Sequence, residues 1–496
     1  MRQDELRLSV GEFVPRTYRA DGREVSWRVV LGAAYCTRPL DPIQRVNVFV
    51  PEEYFTGGSV GRYNAVTAPI FMPNSVGGYL PGPAEEPGDD ARNGGANSLF
   101  RALEHGLVVV SGGVRGRTSG KRSDEFFEGA DAGYHGEETG RIVGRAPALV
   151  VDQKAIVRFV RLNADVIPGD AERIVTNGTR AGGALSALMG ATGNDPGYEP
   201  YLERIGSASG RDDVFASSCF CPIHNLEHAD AAYEWQFAGE REWHRTKHKV
   251  VDGVVTRVPV SGELTDAQMD LSARLAARFP DYVNGLGLTD PKGCPLTLNP
   301  DGSGSFRDFV VGKLVDSAQR ELRLHEDVAA SIGKSIPGSA VDQVNALDVR
   351  DERVCGLDWR AYVHAITRMK ATPAFDASDL SSPENEEFGD QTVGARHFSA
   401  DREALGFFSD SGKMADPEVV RLINPIPHIH PDIPTRHWRI RHGSFDRDTS
   451  FAIPVILATR LRNVGCDVDF RIPWGVPHAG DYQMDELFAW VDGLCG

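Results

Sequence analysis

Short runs of β-branched and aliphatic residues recur through the first half of the chain, at 26–30, 45–50, 68–72, 106–111 and 173–176. Runs of this length, bounded by Gly, Pro and Asp, are predicted strands. A helix is predicted over 150–162, where Val151, Ala155, Phe159 and Leu162 fall at helical spacing. Strands alternating with helices argue for an α/β fold, a mostly parallel sheet flanked by helices.

After about residue 230 the pattern becomes longer and more polar. Thr265 with Gln268 three positions on is a capping-box signal, Leu264 and Met269 form a staple across it, and a second amphipathic helix is predicted over 306–322. The sheet pattern returns at 437–442, followed by a helix over 450–463, a strand over 468–472 and a helix over 485–494. The chain therefore divides into a core made of 1–230 and 425–496 and a large, mainly helical lid insertion over 231–424. It contains no internal repeat or low-complexity tract.

Between the strand 173–176 and the apolar run 184–189 stands Asn177-Gly178-Thr179-Arg180-Ala181-Gly182-Gly183. This is the Gly-x-Ser-x-Gly elbow of a serine hydrolase with arginine at the nucleophile position. A guanidinium is permanently protonated and has no nucleophilic lone pair, so it forms no acyl-enzyme. Loss of such a serine costs about 10⁶ in rate, and ordinary ester turnover is not expected. Ser186 lies inside the following helix, and Cys219 and Cys221 end another apolar run with no signal directing them to a histidine. No substitute nucleophile is therefore predicted. The forked guanidinium does match a carboxylate. If close, it would lower the pKa of His478 and capture Asp446 or Asp448 in an ion pair.

The other parts of such a site come from loops that follow strands. Asp446 and Asp448 lie in HGSFDRDTS, and His478 lies in PWGVPHAGDY. Asp446 would orient the His478 ring and His478 would move protons. The loop MPNSVGGY offers the Gly77 N–H as an oxyanion donor, with the Ala181 N–H as its partner.

The segments MPNSVGGY, NGTRAGGALSALMGATGN, SSCFCPIHNLEHADAAYEW, WRIRHGSFDRDTSFAIPVILATRL and PWGVPHAGDY, in this order, resemble the bacterial tannases, a family of gallate-ester hydrolases. The resemblance spans nearly the whole chain. It implies an α/β-hydrolase core with a lid and a pocket for a galloyl or similar polyhydroxylated aromatic acyl group. It further implies Asp446 as triad acid, His478 as triad base and Gly77 as oxyanion donor. Galloyl hydroxyls would be bound by Asp448, by Lys370 of RMKATPAF and by an acid of SPENEEFGD, with Glu384 favoured over Glu386. The family carries serine where this chain has Arg180. The alternative function is a non-serine enzyme or binding protein for a free phenolic acid held by Arg180.

Composition narrows the partners. The chain has 496 residues and a net charge of −17, which disfavours nucleic acid and anionic membranes. A small aromatic ester or phenolic acid is the expected partner. Seven cysteines, an odd number thinly spread, point to reduced thiols. With no apolar run approaching the ~18 residues of a membrane helix and no signal-like start, a cytoplasmic protein is expected. No cofactor and no metal is expected. His224-Asn225-Leu226-Glu227-His228 fits the zinc motif HxxEH, but five residues inside a segment already matched to the tannases carry little weight. Cys219-Phe220-Cys221 reads as two buried thiols, and His428-Ile429-His430 as part of an extended, Pro-rich connector.

Overall fold

The computed structural model describes residues 3–90, 94–122, 137–251, 254–324, 345–406 and 413–495. Its central element is a nine-stranded sheet: β1 (Val14–Ala20), β2 (Arg23–Ala34), β3 (Arg45–Pro51), β4 (Pro69–Pro73), β5 (Val108–Gly112), β6 (Asp170–Thr179), β7 (Ala216–Phe220), β8 (His437–Arg441) and β9 (Asp467–Arg471). Their order is β1-β2-β3-β5-β4-β6-β7-β8-β9. The first four neighbours pair antiparallel, and from β5 onward every pairing is parallel. This is a mixed, parallel-dominated α/β sheet of hydrolase type. The central strands β4, β5 and β7 are buried along their whole length, as parallel strands covered on both faces must be.

Helices α1 (Ser98–Glu104), α2 (Ala148–Leu162) and α3 (Ala181–Ala191) contact the first part of the sheet, and α4 (Ala452–Asn463) contacts β9. All of α3 is buried, which explains its composition of Gly, Ala, Leu and Ser. The predicted strands and helices of the first half and of the C-terminal segment all form, with ends shifted by a few residues.

Two strands lay outside that reading. β1 is exposed at six of its seven positions and β7 reads Ala-Ser-Ser-Cys-Phe. Neither offers the apolar alternation that marks a strand, because one is an edge and the other is buried through its neighbours. Between β7 and β8 the chain leaves the sheet. Helices form there at Asp266–Ala276, with the Thr265/Gln268 capping box in place, and at Ser305–Leu324. The mainly helical expectation missed two antiparallel hairpins in this region, Glu242–Val251 with Val254–Glu263 and Leu347–Arg350 with Arg353–Leu357. Among the described residues no helix is long and apolar enough to cross a membrane.

Candidate active site

β6 hands over to α3 through a turn in which Arg180 adopts φ 62°, ψ −120°. This is a region L-residues rarely enter, costing about 1–3 kcal/mol. The flanking glycines permit it. A Cβ on Gly178 would lie 2.2 Å from the Gly182 carbonyl, and one on Gly182 would lie 2.4 Å from Asn74 Oδ1. The turn is then tied down: Arg180 N–H donates to Phe220 O at 2.9 Å, and the Asn74 amide donates to Asn177 O and Gly182 O at 3.1 and 3.0 Å. The same asparagine starts the loop that carries Gly77. Neither Gly77 N–H nor Ala181 N–H donates to a main-chain acceptor among the described residues, and the space over Gly77 is open.

The acid and base stand opposite. His478 Nδ1 donates to Asp446 Oδ2 at 2.7 Å, and its Nε2 lies 3.7 Å from Asp448 Oδ2. Asp446 is fully buried, with His442 a further 3.6 Å away. Burial works against the Asp446 carboxylate, but His478 and His442 outweigh it and hold its pKa well below the usual range. Burial likewise opposes a charge on His478, yet Asp446, Cys221 and Asp448 raise its pKa well above the ordinary histidine value.

A third group lies beside this pair. Lys370 Nζ sits 3.3 Å from Asp448 Oδ2 and 3.8 Å from the centre of the Phe375 ring. Glu384 is half-buried; desolvation raises its pKa, which Lys370 partly offsets and Asp448 reinforces. The helix Ala229–Gln236 fixes the segment that carries Lys370. Tyr233 Oη accepts the N–H groups of Met369 and Lys370 at 2.9 and 3.0 Å. Glu234 and Arg368, both fully buried, pair at 2.7 Å, and the Asp230 carboxylate accepts the N–H groups of Ala374, Phe375 and Asp376. Asp376 in turn accepts from Asn385 Nδ2 at 2.7 Å, which places the neighbouring Glu384. Asp230, Tyr233, Glu234 and Asp376 thus position the site although sequence reasoning missed them. Their partners lie far along the chain, so no local pattern signals them.

Glu384 and Glu386 part company here. Glu386 is clamped by Arg117, Lys121 and Arg145, whereas no ion pair engages Glu384 among the described residues.

Several expectations need correction. Arg180 captures neither Asp446 nor Asp448. Its exposed guanidinium donates from Nη2 to the main-chain O of His478 at 2.8 Å, because Asp446 is already taken by His478 and Asp448 by Lys370. Nor is His478 depressed; its carboxylate neighbours shift it the other way. Cys221, read as unconnected to the histidine, lies with its Sγ within 4.8 Å of ligand atoms of both His478 and Asp446. It is fully buried and donates to Ala479 O at 3.3 Å.

The HxxEH residues do not converge either. His228 stacks on Tyr282 at 3.6 Å, Glu227 accepts from Asn424, and the fully buried ring of His224 meets no hydrogen-bond partner among the described residues. His428 lies in a short 3-10 turn rather than an extended connector and pairs with Asp195 at 2.7 Å.

A fixed elbow and a His–Asp pair in loops after parallel strands make up the geometry of the site. A tannase crystal structure from Lactobacillus plantarum superposes with a TM-score of 0.90 at 44% identity, covering 100% of both chains. The chain belongs to the bacterial tannase family. The Fusobacterium nucleatum tannase gives a TM-score of 0.89 at 40% identity over 99% of both chains. A tannin acyl hydrolase in complex with ethyl gallate gives 0.87 at 44% over 99% of both. A family model described as BD-FAE matches residues 141–226, the segment containing the elbow. Esterase LipC of Mycobacterium tuberculosis is 43% identical over 58 residues, which is 12% of this chain and 14% of that protein. The scaffold of this tannase-family chain is that of an ester hydrolase.

Proposed function

We propose that this chain binds a galloyl or similar polyhydroxylated aromatic acyl group beside His478 and that Arg180 has removed ordinary ester hydrolysis. The observation that carries this reading is the group formed by Lys370, Asp448 and Glu384 within reach of the His478–Asp446 pair. Two carboxylates and an ammonium suit adjacent phenolic hydroxyls, since each carboxylate accepts one O–H and the cation favours a developing phenolate. Asp446 fixes the ring of His478, Gly77 N–H and Ala181 N–H face the acyl oxygen, and the attacking atom is missing. The ethyl gallate complex of a relative at 44% identity supports the ligand class.

Titration with methyl gallate tests this reading. The chain binds it, and Lys370→Ala weakens binding by about tenfold or more, the worth of one hydrogen bond to a charged group. Equal binding by both proteins would refute the assignment.

One observation favours a second reading. Among the described residues only Nη2 of the Arg180 guanidinium is engaged, by a carbonyl, and the group is exposed. It can therefore take a free carboxylate, and the chain would then act on or bind a phenolic acid. Parallel titrations separate the two, since an arginine anchor prefers gallate to methyl gallate.

A further inference from the structure

On one face of the parallel sheet a row of polar side chains runs across four strands. Asn177 of β6 stands opposite Ser218 of β7, Ser218 opposite Arg439 of β8, and Arg439 opposite Asp469 of β9. Arg439 and Ser218 are fully buried. None of the three guanidinium nitrogens of Arg439 meets a hydrogen-bond partner among the described residues, and the same holds for Ser218 Oγ and the hydroxyl of Tyr482. Arg439 lies over the Phe220 ring at 5.0 Å, and that ring meets Tyr482 edge-on at 4.9 Å. The unpaired groups therefore share one enclosure between the sheet and the segment that follows His478.

One guanidinium there stands outside the ion pairs. Asp469 pairs with Arg441 at 2.6 Å and with Arg471 at 3.2 Å, and Glu486 pairs with Arg471 at 3.0 Å. Among the described residues Arg439 joins none of these ion pairs, and the further carboxylate along the row, Asp481, accepts from Asn177 Nδ2 at 3.0 Å. Burial and Arg441 lower its pKa to about 9, which still leaves it charged at neutral pH. A buried cation without a counter-charge is strongly disfavoured. A water molecule supplies an acceptor but no charge.

We propose that Arg439, with the hydroxyls of Ser218 and Tyr482, holds a small monovalent anion of the halide class inside the fold. One negative charge gives Arg439 the counter-charge that no ion pair supplies, and the three guanidinium nitrogens and two hydroxyls are the donors that would hold it. The site is structural rather than catalytic: Phe220, stacked under Arg439, is the residue whose carbonyl receives the Arg180 N–H. Occupancy therefore stiffens the base of the elbow.

Crystals of the full chain soaked in sodium bromide, measured at the bromine absorption edge, give an anomalous peak within hydrogen-bond reach of Arg439. In solution, thermal unfolding in sodium chloride or bromide shows a saturating rise in Tm over sodium gluconate at equal ionic strength. Ser218→Ala raises the half-saturating halide concentration about tenfold, and Arg439→Gln abolishes the halide-specific part. Should Arg439→Gln fail to fold, diffraction and Ser218→Ala still decide. Peaks only at the surface, or equal Tm in halide and gluconate, would overturn the proposal.

Discussion

The elbow and the wall facing it are built in opposite ways. At Arg180 the backbone carries the information: two glycines that no other residue can replace, a turn held at φ 62°, and hydrogen bonds from Asn74 across it. The side chain there contributes one bond to a carbonyl. Across the cleft the side chains carry the information, since Asp446, His478, Asp448 and Lys370 are linked by contacts of 2.7 to 3.7 Å. A backbone-defined feature survives a change of its central side chain, whereas a network of charges does not survive the loss of one member. The strained elbow therefore persists around a residue that cannot attack.

The largest expected effect tests whether one side chain is all that the elbow lacks. Arg180→Ser raises methyl gallate hydrolysis by about 10³ to 10⁶ over the chain as it stands, read by gallate release. In that background Asp446→Asn removes about 10⁴ of the gain. A serine variant as inactive as the arginine form would mean that the facing wall has diverged as well.

The wall itself breaks more easily. Glu234→Ala leaves the buried guanidinium of Arg368 without its carboxylate and destabilises the fold by about 3–5 kcal/mol. Denaturant unfolding measures this loss. A change below about 1 kcal/mol would show that the segment bearing Lys370 is held by something other than that pair.

The charges of the wall also predict a pH profile. His478 has a folded pKa above its unfolded value, so its contribution to stability is complete below about pH 6.5 and is lost as pH rises through the folded pKa. Asp446 and Asp448 are depressed. Their contribution is present above about pH 3.9 and is lost as pH falls through their folded values. Tm measured against pH should fall on the alkaline side, and His478→Gln should remove that fall. An unchanged alkaline limb in the variant contradicts the assignment.

The smallest effect returns to the elbow. Arg180→Gly relieves the positive φ and stabilises by about 1 kcal/mol, read as a small rise in the denaturation midpoint. A destabilised glycine variant would mean that the guanidinium contact with His478 O outweighs the backbone strain.

Much of the site was legible along the chain. Asp446, Asp448 and His478 announce themselves because each follows a strand in a short loop, and the Gly-x-x-x-Gly spacing around Arg180 marks the turn. Lys370 and Glu384 do not: a lysine and a glutamate in polar loops look solvated, and only the family resemblance singled them out. Asp230, Tyr233 and Glu234 gave no signal because their partners lie far along the chain, in 368–376. β7 escaped notice because Ser217 and Ser218 are buried by neighbouring strands rather than by their own apolarity.

Local pattern alone determined the α/β class, the elbow and the absence of a hydroxyl at its tip, because periodicity, glycine sterics and side-chain chemistry are properties of adjacent residues. Tertiary structure decided which carboxylate is free and which is spent. Glu386 sits among Arg117, Lys121 and Arg145, while Glu384, near Lys370, joins no ion pair among the described residues. It also decided that Arg180 reaches a carbonyl instead of an aspartate and that Cys221 is sealed beneath the histidine. Charge pairing depends on distance through space, and that distance is set only when strands far apart in sequence close on one another.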